Sequence, residues 1–158
     1  MKDILFRTEE GSFSYRVAGI CVFDGKVLLQ KPMDDDGYAF PGGHVVFGET
    51  NAQTLTREFF EEIGASITVG ELKWVAEIFF SMNGKPCHQI CLYHMVDIDM
   101  ATIPAGETFA SIENPNLLFY WIPLEQIKHN LVYPVKCAEL LHDLNGGVQY
   151  FVDREEPV

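Results

Sequence analysis

The sequence predicts a mixed α/β (α+β) domain. Apolar runs of strand length fill both halves of the chain. A helical pattern separates them and a second follows near the C-terminus. Two Asp/Asn-Gly pairs sit between apolar runs, a hairpin signal. The order strands, helix, strands, helix does not fit a regular βαβ repeat.

The elements follow in order. YRVAGICVF is rich in β-branched and aromatic residues and reads as one strand. Asp24-Gly25 turns it into KVLLQK. KPMDDDG is an acidic loop, and YAFPGGHVVFGE reads as short extended pieces joined by a glycine turn. A helix follows. Thr50 and Gln53 fit a capping box. Ala52, Leu55, Phe59 and Ile63 form an apolar stripe, and Gly64 is a natural stop. ELKWVAEIFF and CHQICLYHMVDI are strands joined at Asn83-Gly84. Residues 101–116 read as loop and LLFYWI as a strand. PLEQIKHN reads as a helix with Pro123 at its first position. VKCAELLHDLNGG reads as a second long helix, and VQYFVDRE as a terminal strand or extended tail.

The 158 residues argue for a single domain over 1–158. With 47% hydrophobic and 13% aromatic residues, a packed core is within reach. No apolar run approaches the ~18–20 residues of a membrane span, and MKDILFRTEEG lacks a signal-peptide pattern. The expectation is a soluble, cytoplasmic protein with no membrane partner. A net charge of −12 disfavours a nucleic-acid polymer as partner. It allows a small anionic substrate whose charge a bound cation meets. There is no CxxC. Cys87, His88 and Cys91 are close in sequence but lack a second ligand pair with zinc spacing, so the four cysteines read as ordinary thiols.

The chemistry concentrates on the first helix. At 100° per residue, Glu58, Glu61 and Glu62 fall within an arc of roughly 100° beside the apolar stripe. Each like-charge pair at this spacing destabilises a helix by ~0.2–0.5 kcal/mol. The position near the helix C-terminus adds an unfavourable dipole effect. Only Arg57 lies among them to compensate. A solvated acidic face is the ordinary reading of EFFEE alone. A divalent cation with oxygen ligands would reverse the sign of the repulsion.

Gly43, Glu49, Arg57, Glu58, Glu61, Glu62 and Gly64 together stand at the spacing G-x5-E-x7-R-E-U-x-E-E-x-G-U, with U bulky and apolar. Segment 43–65 therefore resembles the box of the Nudix hydrolases. At roughly 7% usage per letter, seven fixed positions coincide by chance on the order of 10⁻⁸ per start. Phe59 and Ala65 depart from the usual packing residues. YAFPGG and the strand order extend the resemblance loosely over the chain.

The resemblance implies an α/β/α sandwich with a central mixed β-sheet. It implies hydrolysis of a diphosphate linked to another moiety, usually a nucleoside, with Mg²⁺ or Mn²⁺ as cofactor. Glu58 and Glu62 would be the principal metal ligands, with Glu61 a further one and the Gly43 carbonyl completing the set. Arg57 and Glu49 would pair across the loop–helix junction. The general base stays open among Glu61, Glu107, Glu113 and Glu77; Glu77 lies on the solvent face of its strand or points into the cleft. Arg16 is a candidate for a phosphate. Tyr38, Phe40, Phe80, His88 and Tyr133 are candidates for a base or a pocket wall, with core or rim packing the plainer reading. Three subclass patterns are missing: an early proline after the box (Phe80-Ser81-Met82 stands there), a tyrosine in the same region, and SQPWPFPxS. A non-catalytic Nudix-like binding module usually loses box carboxylates, which are all present. An isoprenoid diphosphate isomerase would need acid–base residues, often including a cysteine, and none lies near the box. Many Nudix hydrolases are homodimers, and ILFRT and FSYR are segments able to add a strand to a second copy.

Overall fold

The computed structural model describes residues 2–155. Two β-sheets form its centre. The larger contains β1 (Leu5–Arg7), β2 (Ser12–Ile20), β5 (Gly42–His44), β6 (Ile67–Met82), β7 (Lys85–Ile98) and β10 (Gln149–Arg154). Its order is β1-β2-β7-β6-β10, with β5 also on β2. The β2–β7 and β6–β10 pairs are parallel and the others antiparallel, so the sheet is mixed. The smaller sheet has order β3-β4-β9-β8, built from β3 (Val22–Phe23), β4 (Lys26–Pro32), β8 (Thr108–Ala110) and β9 (Leu117–Pro123).

The expected single strand YRVAGICVF is two strands. The chain leaves the larger sheet after Ile20 and enters the smaller one at Val22. Cys21 is the joint, and its carbonyl accepts the Leu28 N–H at 2.9 Å. Apolar residues run without a break through this joint because both faces are covered. Val17 and Leu28 pack in one core, Ala18 and Leu29 in the other. Both predicted hairpin turns form. Asp24 and Gly25 have φ of 51° and 74°, Asn83 and Gly84 of 53° and 77°, as a two-residue hairpin loop of the favoured hand requires.

Helix α1 (Asn51–Ile63) covers one face with Thr54, Leu55, Phe59 and Ile63 buried. Thr54 joins the stripe where Ala52 was expected; Ala52 is exposed. The capping box is complete: Thr50 Oγ1 accepts the Gln53 N–H (3.1 Å) and the Thr50 N–H donates to Gln53 Oε1 (2.9 Å). Gly64 closes the helix at φ 71°. A polar chain pins the first turn to the sheet. The Tyr15 hydroxyl donates to Asn51 Oδ1, and Asn51 Nδ2 meets His94 Nε2 at 3.0 Å. His94 Nδ1 faces the Gly70 carbonyl at 3.0 Å and so carries the proton.

The opposite face carries a 3₁₀ turn at Leu124–His129 and α2 (Lys136–Leu140). The layers thus run helix, sheet, helix. The second helix is far shorter than expected. Its buried residues, Cys137, Leu140 and Leu141, span little more than one turn, and Leu144 beyond it packs on the same core only in part. Beyond them Asp143, Asn145, Gly146 and Gly147 are exposed, and an unpacked helix of that length does not hold in water. Pro123 closes β9, and the turn that follows is 3₁₀ from Leu124. The 101–116 loop contains the short strand β8. VQYFVDRE supplies β10, parallel to β6. Among the described residues, no helix is long and apolar enough to cross a membrane.

Candidate active site at the loop–helix junction

The site starts from two glycines. In β5, Gly42 and Gly43 pair with Ala18 and Val17 of β2. A Cβ on Gly42 would run into the Val17 backbone carbonyl. A Cβ on Gly43 would lie 2.6 Å from Glu58 Oε1 and 2.5 Å from its carboxyl carbon. Glycine at 43 lets the Glu58 carboxylate rest directly on the β5 backbone.

Arg57 ties the cluster together. Its Nε lies 3.0 and 3.2 Å from the two oxygens of Glu49. Its Nη1 donates to Glu58 Oε1 (2.9 Å) and Glu61 Oε2 (3.3 Å). Glu49 also accepts the hydroxyl of buried Thr54 at 3.3 Å. The expected Arg57–Glu49 pair is therefore one arm of a three-carboxylate clamp. Among the described residues, Arg57 Nη2 is buried without a partner.

Glu62 is not in the clamp. Among the described residues its side chain has no hydrogen-bond or ion-pair partner. Burial pushes its carboxyl up from 4.5 to about 7, with Glu58, Glu113 and Glu61 adding to the rise and Arg16 opposing it. Glu58 is also raised, first by burial; Arg57 works against the shift, and Glu61 and Glu113 add to it. Glu113 reaches the cluster because its loop is fastened to the end of α1. The Ser111 hydroxyl (3.1 Å) and the Ile112 N–H (2.7 Å) both donate to the Glu62 carbonyl. Ser111 Oγ in turn accepts the N–H of Glu113 at 3.2 Å. Buried Ser111 is a site residue that the sequence did not single out.

The other candidates are spread over the molecule. Arg16 stands on β2 opposite His44, and its charge reaches Glu62. Glu107 pairs with Lys26 at 3.3 Å on the smaller sheet. Glu77 accepts the Tyr150 hydroxyl. It lies on the sheet face opposite Arg16, since Arg16 aligns with Cys91 and Glu77 with the next residue but opposite parity, Ile90. Tyr38 packs edge-on against Tyr120 (5.2 Å) beneath Lys31. Phe40 is 4% exposed and sits edge-on to Trp74 and Tyr93 in the core. Phe80 packs on the Phe40 side of the sheet. His88 lies on the other side, between Phe13 and Phe79. Tyr133 is half exposed.

The donor set suits a hard divalent cation. It consists of oxygens, Glu62 has no cationic partner among the described residues, and Gly43 leaves Glu58 its place. With Arg57 between Glu58 and Glu61, no group of three His, Cys, Asp or Glu side chains converges as a ready-made metal cage among the described residues. Charge, more than a preformed polyhedron, is what fits the ion.

The chain is similar to known proteins in sequence and in fold. The family model for the NUDIX domain matches residues 14–141. The CTP pyrophosphohydrolase of Escherichia coli K12 is 39% identical over 128 residues, 78% of this chain and 84% of that protein. The solution structure of the E. coli ORF135 protein aligns with TM-score 0.54 at 30% identity, covering 82% of this chain and 86% of that one. A MutT protein from Bacillus halodurans aligns with TM-score 0.64 over 88% of each chain at 18% identity, a likeness of fold. The chain belongs to the Nudix family and is a Nudix hydrolase.

Proposed function

We propose that this enzyme hydrolyses the diphosphate bond of a nucleoside diphosphate linked to another moiety, with Mg²⁺ or Mn²⁺ as cofactor. The carrying observation is Glu62: a half-buried carboxylate with no partner among the described residues, pushed up to about 7 beside Glu58 and Glu113. Such a group calls for a cation to hold it ionised. Glu58, Glu61, Glu62 and the Gly43 carbonyl would hold the ion. When bound, it would screen the diphosphate charge and lower the pKa of a water. Arg57 orients Glu58 and Glu61 and keeps Glu49 and the glycine loop against the helix. Arg16 meets a phosphate at the mouth of the cluster. Glu113, on its anchored loop, takes the proton of the attacking water; it is the loop glutamate whose charge reaches Glu58 and Glu62. The name of the E. coli relative puts nucleoside triphosphates, CTP first, at the head of the substrate classes. Three of the four cysteines are buried and all are free, which supports a cytoplasmic enzyme.

The test is a hydrolysis screen with Mg²⁺ or Mn²⁺ over nucleoside triphosphates, dinucleotides, nucleotide sugars and ADP-ribose. One class is expected to turn over, with Glu62→Gln slower by at least about tenfold. Tight ligand binding without turnover of any class would instead favour a binding module.

A further inference from the structure

A row of side chains crosses the larger sheet away from the carboxylates. Phe13 on β2, His88 on β7, Phe79 on β6 and Arg154 on β10 are in register. They therefore share one face. The rings form a ladder: Phe13 meets His88 edge-on at 5.7 Å, and His88 lies over Phe79 at 4.4 Å. The Arg154 guanidinium lies 4.1 Å above the centre of Phe79.

This row, with Phe6 and the loop around Gly11, lines a cavity of about 760 Å³, within the size range of small-molecule sites. It stands three residues along β2 from Arg16, about 10 Å, with the Phe13 side chain on the opposite face. Two features set it apart from a plain surface hollow. Acidic residues outnumber basic ones by 23 to 11, yet Arg154 has no acceptor among the described residues, and neither ring nitrogen of His88 has a partner. The Glu155 carboxylate on the rim is taken up by the Ser81 N–H at 2.8 Å. Phe6 and Phe13 are left 51% and 37% exposed, a cost that an aromatic ligand would remove.

We propose that this cavity is a second binding site, separate from the carboxylate cluster, for a nucleotide-like ligand: a planar aromatic ring carrying a phosphate. The ring stacks against the Phe13–His88–Phe79 ladder, and the Arg154 fork takes the phosphate in a bidentate contact. The site does not depend on the hydrolytic reading of the carboxylates, and it needs no divalent cation.

Isothermal titration of the full chain in EDTA tests it, with AMP as probe and inorganic phosphate and adenosine as separate arms. AMP is expected to bind one-to-one, and each half-ligand at least about tenfold more weakly. Arg154→Gln and Phe79→Leu should each weaken AMP by at least about tenfold. Glu62→Gln should leave the affinity within about twofold. Arg154 is exposed, and among the described residues its side chain meets the Phe79 ring but no carboxylate, so its variant keeps the fold. Absence of AMP binding, an Arg154→Gln affinity equal to wild type, or loss of binding in Glu62→Gln would each overturn the proposal.

Discussion

Arg57 holds three carboxylates with one guanidinium, and the glycines opposite it decide how close those carboxylates come. Neighbouring Gly42 and Gly43 have different jobs. At Gly42 the obstacle to a side chain is the Val17 backbone, which cannot yield. At Gly43 it is the flexible end of Glu58. Gly42→Ala should therefore lower stability by about 2 kcal/mol or more, seen in urea melts. Gly43→Ala should melt close to wild type yet lose at least about tenfold in kcat/KM, because Glu58 is pushed off the backbone. Glu62 makes a second prediction at this scale. Its folded-state value of about 7 lies above the ordinary 4.5, so the folded protein binds the proton more tightly. That contribution is present below about pH 4.5 and is lost as pH rises through about 7. In EDTA, the Tm should fall across this window. Glu62→Gln should flatten the fall and melt higher than wild type at about pH 8. A wild-type Tm that rises with pH there would place Glu62 in an ordinary solvated setting.

Among the elements, α1 carries the carboxylates of the proposed site and is held from both ends. The capping box and the Tyr15–Asn51–His94 chain fix its start. Ser111 and Ile112 both donate to the Glu62 carbonyl at its end. Thr50→Ala should cost about 1 kcal/mol in chemical denaturation, with little change in kcat once folded. Much of this helix was legible from the residues alone. The arc of three glutamates follows from 3.6 residues per turn, and the capping box and Gly64 stop are local signals. The grip of Ser111 was not legible, because it joins residues 49 apart in sequence and leaves no local pattern. The long second helix failed for a related reason: its length is set by where the core ends, which composition does not reveal. The faces of Glu77 and His88 were equally out of reach. They depend on strand parity, and β6 shifts register between Val69 and Trp74.

For the whole molecule, the box carboxylates are part of a net charge of −12. Spacing named the box because seven fixed positions leave little to chance. It could not show that Arg57 spans Glu49, Glu58 and Glu61, or that the hairpin-fed smaller sheet brings Glu113 back to the end of α1. The join at Cys21 that makes this possible hides inside an unbroken apolar run, buried on both sides. The central claim is that folding gathers these carboxylates to receive a divalent cation. Electron paramagnetic resonance of Mn²⁺, titrated into the protein without substrate, tests it most directly. Bound Mn²⁺ should be detected in wild type, weakened at least about tenfold in Glu62→Gln and unchanged in Glu107→Gln. Equal Mn²⁺ binding by wild type and Glu62→Gln would contradict the account.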